Sequence, residues 1–504
     1  MPFLEIHLDR ESRIPFYLQI KNQVKDMILN GLLENGRKLH PSRELARILK
    51  VNRTTVVSAY NELQAEGFLE SRVGSGTVVS GRQIKQSSNY QPMNWSELFA
   101  YSPQASYYSL SRDLANLFFQ RDTISFGLVE PDPKYIPGEE FQRISRKVFK
   151  EKGNAVFLLS PVEGYYPLRE FFADWMAREG RATSPEEVLI TSGSTHGLYL
   201  LSISLLKPGD VVALENPTSF HSIQIFRAAE AKLIDIPVDE SGMKVDILEN
   251  LLSRQRVKLI YTVPTYQNPS GTVLSLARRQ KLLSLAHQYN IPIIEENPYG
   301  KLNYGPAPPP SLKVLDGHDQ VILLNTFSKI LVSGLRIGWL IAPKPVIRQL
   351  ASARYLMDLH SNTFQQYMFH EFCQQKKLDR HLQKIRKIYA RKRDLLISSL
   401  DKYCSSSLTW QVPEGGCHLW CRIEGNVNAV ELLHEAIFDK VAFIEGKVFS
   451  PKENCDEWFR LSFTSLEDNQ IEEGVRRLGR ALERMRRRHG IKGRQDKSSH
   501  RPFV

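Results

Sequence analysis

Lys329 stands in NTFSKILVSGLRIGW, directly after a short apolar run, with Thr326 and Ser328 just before it and Arg336 seven residues on. A lysine held at the end of a buried strand is partly desolvated and can attack an aldehyde as a free amine. Hydroxyls and a guanidinium around it suit a phosphate. The turn TSGSTHG offers a second phosphate contact, because Ser194 and Thr195 bring hydroxyls and backbone N–H groups to a helix start. PTYQNPSG supplies Asn268, and EENPYG supplies Glu296 and Tyr299. An aldehyde, a phosphate, a ring nitrogen and a phenolic oxygen are the groups by which pyridoxal 5′-phosphate is held. Lys329 would take the aldehyde, Glu296 would face the pyridine nitrogen, and Asn268 and Tyr299 would donate to the phenolic oxygen. Arg460, in WFRLSF, is placed to bind a ligand carboxylate bidentately. Each of these residues alone reads as structural. As an ordered set they point to one cofactor.

A second set lies in residues 1–80. Pro15 opens a helical pattern with Ile20, Val24, Met27 and Ile28 on one face, and Gly31 suits its C-terminal cap. Ser42 is placed to cap SRELARILK. After the short turn VNR, Thr54 or Thr55 starts a helix with Val56, Tyr60 and Leu63 as its apolar stripe, and Gly67 stops it. FLESRVGSGTVV then reads as a hairpin. Two short helices and a hairpin are the parts of a winged helix-turn-helix, whose second helix enters the major groove of double-stranded DNA. Arg53, Thr54 and Thr55 begin that helix. Ser42 and Arg43 begin the one before it, and Arg72, Gly74 and Gly76 form the wing; all of these can meet phosphates or base edges.

The elements that must position the first set follow from about residue 123. Short apolar segments (VLITSG, VVALENP, KLIDIPV, KLIYTVP, IPIIEEN, QVILLNTFSK) alternate with helical ones such as LARRQKLLSLAHQY. That alternation predicts an α/β fold with a mostly parallel sheet. Helical signals dominate after about residue 345, and a smaller α+β region closes the chain. Residues 81–122 are polar and turn-rich and read as a linker. The expected organisation is 1–80, linker 81–122, 123–485, and a basic tail 486–504.

The N-terminal pattern (SRELA, R-T-T, E-G-F-L, GSG) resembles the GntR family of bacterial regulators over residues 15–79. Residues 123–485 resemble the fold type I aminotransferases, in particular their kynurenine/α-aminoadipate-like branch. Both together resemble the MocR/GabR subfamily of regulators. That resemblance implies a Schiff base between pyridoxal phosphate and Lys329. It also implies a head-to-tail homodimer and an effector that is an amino acid, an amine or pyridoxal phosphate itself. The alternative is a working aminotransferase with an accessory DNA-binding head. The chain departs from the family pattern at four places. The proline of the usual Leu-Pro-Ser-x-Arg has moved, giving Leu39-His40-Pro41-Ser42-Arg43. Glu296 replaces the usual aspartate, with a reach one methylene longer. Leu159 stands where a tyrosine often reaches the neighbouring subunit. Pro217-Thr218-Ser219-Phe220 lacks the expected ring-stacking tyrosine, for which Phe220 could substitute if the turn shifts by one residue.

Composition sets the outer bounds. The 504 residues are 42% hydrophobic and 24% charged, enough for a large core. The net charge of +12 is concentrated at the end: residues 475–504 hold 11 Lys and Arg against 2 acids, whereas residues 1–80 hold 11 against 9. Charge alone therefore says little about the head. The five cysteines (Cys373, Cys404, Cys417, Cys421 and Cys455) are irregularly spaced and read as free thiols. Cys417, His418 and Cys421 read as part of a core strand, not a metal site. Without a long apolar run or a signal-like start, the expected setting is the bacterial cytoplasm.

Overall fold

The structure is a computed structural model and describes residues 6, 8–10, 15–29, 32–72, 76–80, 122–374, 377–425 and 427–489. The chain divides into two compact units, Met1–Tyr101 and Ser102–Val504. Gly31, Gly74, most of the expected linker and residues 490–504 lie outside the described residues.

Among its described residues the first unit has three helices, α1 (Phe16–Leu29), α2 (Ser42–Leu49) and α3 (Arg53–Ala65), then the antiparallel strands β1 (Leu69–Arg72) and β2 (Gly76–Val79). Pro15 opens α1 as expected, its carbonyl accepting from the Leu18 and Gln19 N–H groups. Ile20 and Val24 of α1, Leu45 of α2 and Val56, Ala59, Tyr60 and Leu63 of α3 close one small core with Leu69 and Val79. Lys21 bridges from α1 to Glu62 and Glu66 of α3 at 2.7 and 2.6 Å. Two helix starts differ from expectation. Pro41, not Ser42, caps α2: the fixed φ of proline presents its carbonyl to the Glu44 and Leu45 N–H groups, and no side chain caps the helix. Asn52 caps α3, its side chain accepting from the Thr54 N–H at 3.3 Å, so the helix begins at Arg53.

The second unit is built on an eight-stranded sheet. Its strands are β3 (Val188–Thr191), β4 (Val211–Asn216), β5 (Lys232–Asp239), β6 (Gly242–Met243), β7 (Leu259–Thr262), β8 (Ile293–Glu296), β9 (Val321–Thr326) and β10 (Gly338–Ile341). Their order is β3-β10-β9-β8-β7-β4-β5-β6. The run from β9 to β5 is parallel, and β10 and β6 are antiparallel to their neighbours. Parallel strands with helices on both sides must be apolar on both faces. Ile293 accordingly joins a core with Leu282 and Leu285 of one helix (α6, Leu276–Tyr289). Its neighbour Ile294 joins the opposite core, with Leu198 and Leu201 of another (α4, Ser194–Leu205).

A second sheet of four strands, β11 (Leu408–Trp410), β12 (His418–Ile423), β13 (Ile444–Glu445) and β14 (Trp458–Ser462), follows in the order β11-β12-β14-β13. It shares a core with the long helices α7 (Lys377–Tyr403) and α8 (Asp468–His489). Both faces of β12 are buried, with Cys421 and His418 alike nearly inaccessible. Among the described residues no helix is long and apolar enough to cross a membrane, and no three His, Cys, Asp or Glu are grouped to hold a metal.

Candidate cofactor site

The residues singled out in the second unit come together at the C-terminal ends of the parallel strands, where ligands of open α/β sheets bind. One pocket is lined by Ser194, Thr195, Phe220, Asn268, Glu296, Tyr299, Thr326, Lys329 and Arg460. Lys329 follows β9, and its Nζ donates to the Val129 carbonyl at 3.0 Å. Burial lowers its pKa, which favours the neutral amine. Thr326 donates its hydroxyl to the Ile337 carbonyl at 2.8 Å and lies 2.9 Å from the Ser328 hydroxyl, so the turn before Lys329 is fixed from within.

The phosphate end is formed by a glycine and an arginine. Gly193 caps α4 at φ +92°, and a Cβ there would lie 2.6 Å from the Arg336 guanidinium. Only glycine lets the first turn of α4 sit against that cation. Arg336 stays exposed and donates to the Ser192 and Ser333 carbonyls at 3.3 Å each. Free N–H groups at a helix start beside a guanidinium form an anion cradle.

At the ring end, Glu296 accepts from the Tyr261 hydroxyl and from Ser194, and Tyr261 also lies 2.7 Å from the Ser222 hydroxyl. Burial raises the Glu296 pKa against these hydrogen bonds. Tyr299 is buried, and burial raises its phenol pKa further, so it stays a donor. Asn268 accepts from Arg460 through Oδ1 at 2.8 Å, which leaves its amide N–H groups to donate elsewhere. The donor set fits pyridoxal phosphate on three counts: the glycine-lined anion cradle, the half-buried donor Asn268 with the buried donor Tyr299, and the carboxylate Glu296.

Arg460 is buried, stacks over Phe449 at 5.0 Å and donates to the Gly127 carbonyl at 2.9 Å, while its Nε has no partner. Burial lowers its pKa to about 10, leaving it charged at neutral pH. A buried guanidinium with no carboxylate beside it is a receptor for one.

Residues 136–478 match the family described as aminotransferase class I and II, and residues 16–79 match the bacterial regulatory proteins of the gntR family. The chain belongs to the aminotransferase class I and II family. It also carries a gntR-family domain, the composition that the resemblance to MocR/GabR regulators implied. The uncharacterized HTH-type transcriptional regulator YisV of Bacillus subtilis is 30% identical over 94% of this chain and 98% of its own length. Kynurenine aminotransferase of Pyrococcus horikoshii, solved in complex with PMP, is 34% identical with a TM-score of 0.73, over 77% of this chain and 98% of that one. LysN, the α-aminoadipate aminotransferase of Thermus thermophilus, was solved with N-(5′-phosphopyridoxyl)-L-leucine. It is 32% identical with a TM-score of 0.72, over 78% of this chain and 99% of that one.

Within this aminotransferase-type pocket the sequence left several groups unnoticed. His221, next to Phe220, also lines it, their ring centroids 3.8 Å apart. Its ring is crowded by the cleft walls yet open to solvent. Burial, with the charges of Lys329 and Arg460, lowers its pKa to about 4. The substitution PTSF for P-T-Y was the signal that the ring wall is rebuilt here. Tyr261 carried no motif of its own. Nor did residues 127–130, which run over the pocket: Gly127 and Val129 give carbonyls to Arg460 and Lys329, and Glu130 accepts from the Thr464 hydroxyl at 2.8 Å.

In the first unit Arg43, Arg53 and Thr54 are exposed and Ser42 and Thr55 half-buried. Neither Arg43 nor Arg53 forms an ion pair among the described residues. Arg53 Nε lies 3.5 Å from the Ser42 hydroxyl, so the starts of α2 and α3 are adjacent. Gly76 is exposed at φ +83°, opposite Arg72 in the hairpin.

Proposed function

We propose that this chain is a transcription regulator that binds operator DNA through residues 1–80 and senses an amino compound through a pyridoxal phosphate site. The supporting observation is the presence in one chain of a gntR-family domain and a pocket retaining Lys329, Asn268, Tyr299 and Arg460. Ser194, Thr195, Thr326, Ser328 and Arg336 would hold the phosphate, and Glu296 the ring nitrogen. When bound, the cofactor supplies an aldehyde carbon that condenses reversibly with primary amines, Lys329 being the chain's own. The residues of the chain do the selecting. Arg460 binds and orients a carboxylate, Asn268 holds Arg460 in place, and the cleft walls exclude water from the Lys329 amine. Phe220 and His221 together close the ring wall.

On the DNA side, Arg53, Thr54 and Thr55 at the start of α3 would meet the major groove, with Ser42 and Arg43 on the adjoining backbone. Arg72, Gly74 and Gly76 would form the wing contact. Regulators of this kind work as symmetric dimers on paired half-sites, and we place the protein in a head-to-tail homodimer. Exposed Phe157, Leu158 and Leu159, with Tyr355 and Leu356, supply apolar surface for a partner.

The test is DNA binding by the purified protein to its own upstream region, with and without pyridoxal phosphate and a panel of amino acids. Sequence-selective binding that shifts with an amine supports the reading, and its absence in all conditions overturns it. Dependence on pyridoxal phosphate alone would make the cofactor the effector. A second reading, a working aminotransferase, is favoured by the complete Lys329–Arg460 set. It requires multiple turnovers of an amino acid with an oxoacid, whereas sensing requires only stoichiometric absorbance change.

A further inference from the structure

We propose that Lys392 is a positioning residue for Lys329: it pins the segment over the pocket in the register that sets the Val129 carbonyl on the lysine amine. This rests on the pyridoxal phosphate site alone and holds whether that site senses a ligand or turns one over.

Five consecutive carbonyls of the covering segment are engaged. Phe126 accepts from the Ser462 N–H at 2.7 Å, Gly127 from Arg460 at 2.9 Å and Leu128 from the Ser465 hydroxyl at 3.5 Å. Val129 accepts from Lys329 at 3.0 Å and Glu130 from the Thr464 hydroxyl at 2.8 Å. All these donors except Lys329 lie within residues 460–465. The register of the segment along that stretch therefore decides which carbonyl meets Lys329. A slip of one residue moves the chain by about 3.8 Å, beyond hydrogen-bond reach.

Lys392 of α7 fixes that register. It is fully buried, and its Nζ donates to Asp132 Oδ2 at 2.8 Å and to the Thr464 carbonyl at 3.1 Å. One ammonium thus ties Asp132, two residues beyond Glu130, to the residue whose hydroxyl holds Glu130. Asp132 is oriented in turn, its Oδ1 accepting from the Lys134 N–H at 2.9 Å. About three turns earlier on the same face of α7, His381 Nε2 lies 2.8 Å from the carbonyl of Ile330, the residue after Lys329. One helix therefore bears on both partners of the Val129–Lys329 bond. A buried ion pair adds little net stability over apolar packing. Several directed N–H donors on one atom fix geometry instead.

The experiment strips the full-length protein of cofactor and mixes it with pyridoxal phosphate. The rate at which visible absorbance appears is followed across about pH 6–10, where a partly desolvated lysine titrates. The Lys329 amine adds to the aldehyde and one water leaves, so the rate follows the fraction of free amine. Lys392→Met combined with Asp132→Asn removes the ion pair without leaving a lone buried charge. The midpoint of the profile should fall by about one pH unit, because the Val129 carbonyl favours the ammonium form. Thr464→Val, which removes only the hydroxyl on Glu130, should move it the same way by less. Leu400→Ala, a core change on the same helix, should lower Tm and leave the midpoint in place. The other titratable groups around Lys329 (Glu130, His221, Glu296, Arg336, Cys417, His418 and Arg460) are kept in every variant. If the double variant does not fold, Thr464→Val decides. An unmoved midpoint, or one moved as far by Leu400→Ala, overturns the positioning role while the cofactor site stands. If the parent protein gives no absorbance with pyridoxal phosphate, the site itself fails and the proposal with it.

Discussion

Glu296 stands where the family pattern leads one to expect an aspartate, and Tyr261 holds the longer side chain. The longer side chain is held by the Tyr261 hydroxyl and Ser194, and burial would otherwise favour its neutral form. Tyr261→Phe removes a hydrogen bond to that carboxylate, worth about 1.5–3 kcal/mol. Cofactor affinity should fall about tenfold or more, measured by titrating the apoprotein with pyridoxal phosphate. A second prediction concerns pH. His418 is buried, and burial with the Arg460 charge holds its pKa well below the ordinary 6.5. Below pH 6.5 the unfolded chain binds a proton there that the folded chain refuses, so stability is lost as the pH falls. The raised pKa values of Glu215 and Glu295 act in the opposite sense, so the histidine is isolated only by comparison. His418→Gln should flatten the fall in Tm between pH 6.5 and pH 5 relative to the parent protein. The site residues were legible in the sequence because Lys329, Asn268 and Tyr299 stand in compact motifs. Tyr261, His221 and Val129 were not, since their roles exist only after distant strands and a covering segment meet.

At the scale of elements, the alternating segments predicted the strands from Val188 to Thr326, apart from the two-residue Gly242–Met243, because they are short apolar runs bounded by turn residues; most are buried on both faces, and Lys232–Asp239 is largely half-buried. The strand Gly338–Ile341, lying antiparallel between β3 and β9, had no such signal: direction is set by topology, not by local pattern. The helix starts came earlier than expected, by one residue at α2 and by one or two at α3. Pro41 caps ahead of Ser42 through backbone geometry, and Asn52 caps ahead of Thr54 and Thr55 through side-chain reach. Asn52→Ala should destabilise the first unit by about 1 kcal/mol, seen as a lower denaturation midpoint. Arg53→Ala should leave stability unchanged and lower the slope of log affinity against log salt for DNA by about one. In the second unit, Gly193→Ala places a methyl group against the Arg336 guanidinium in a backbone region closed to alanine. Binding of pyridoxal phosphate should weaken at least tenfold, with the circular dichroism spectrum of the apoprotein retained.

For the whole molecule, the exposed apolar residues around Leu159 and Leu356 predict self-association: Leu356→Asp should convert a dimer into a monomer in light scattering, at little cost to a side chain that is 87% exposed. The site's covering segment was not legible in the sequence, and it carries a consequence of its own. The carbonyls of Gly127 and Val129 already hold the Arg460 guanidinium and the Lys329 amine. Ligand capture is thus a substitution reaction in which the outgoing group is main chain, and the arriving carboxylate or aldehyde competes with the protein and not only with water. Affinity is lowered by the strength of those two bonds, and in exchange occupancy becomes a mechanical event. The backbone that would be displaced, residues 127–130, follows shortly after the expected linker 81–122 in the sequence.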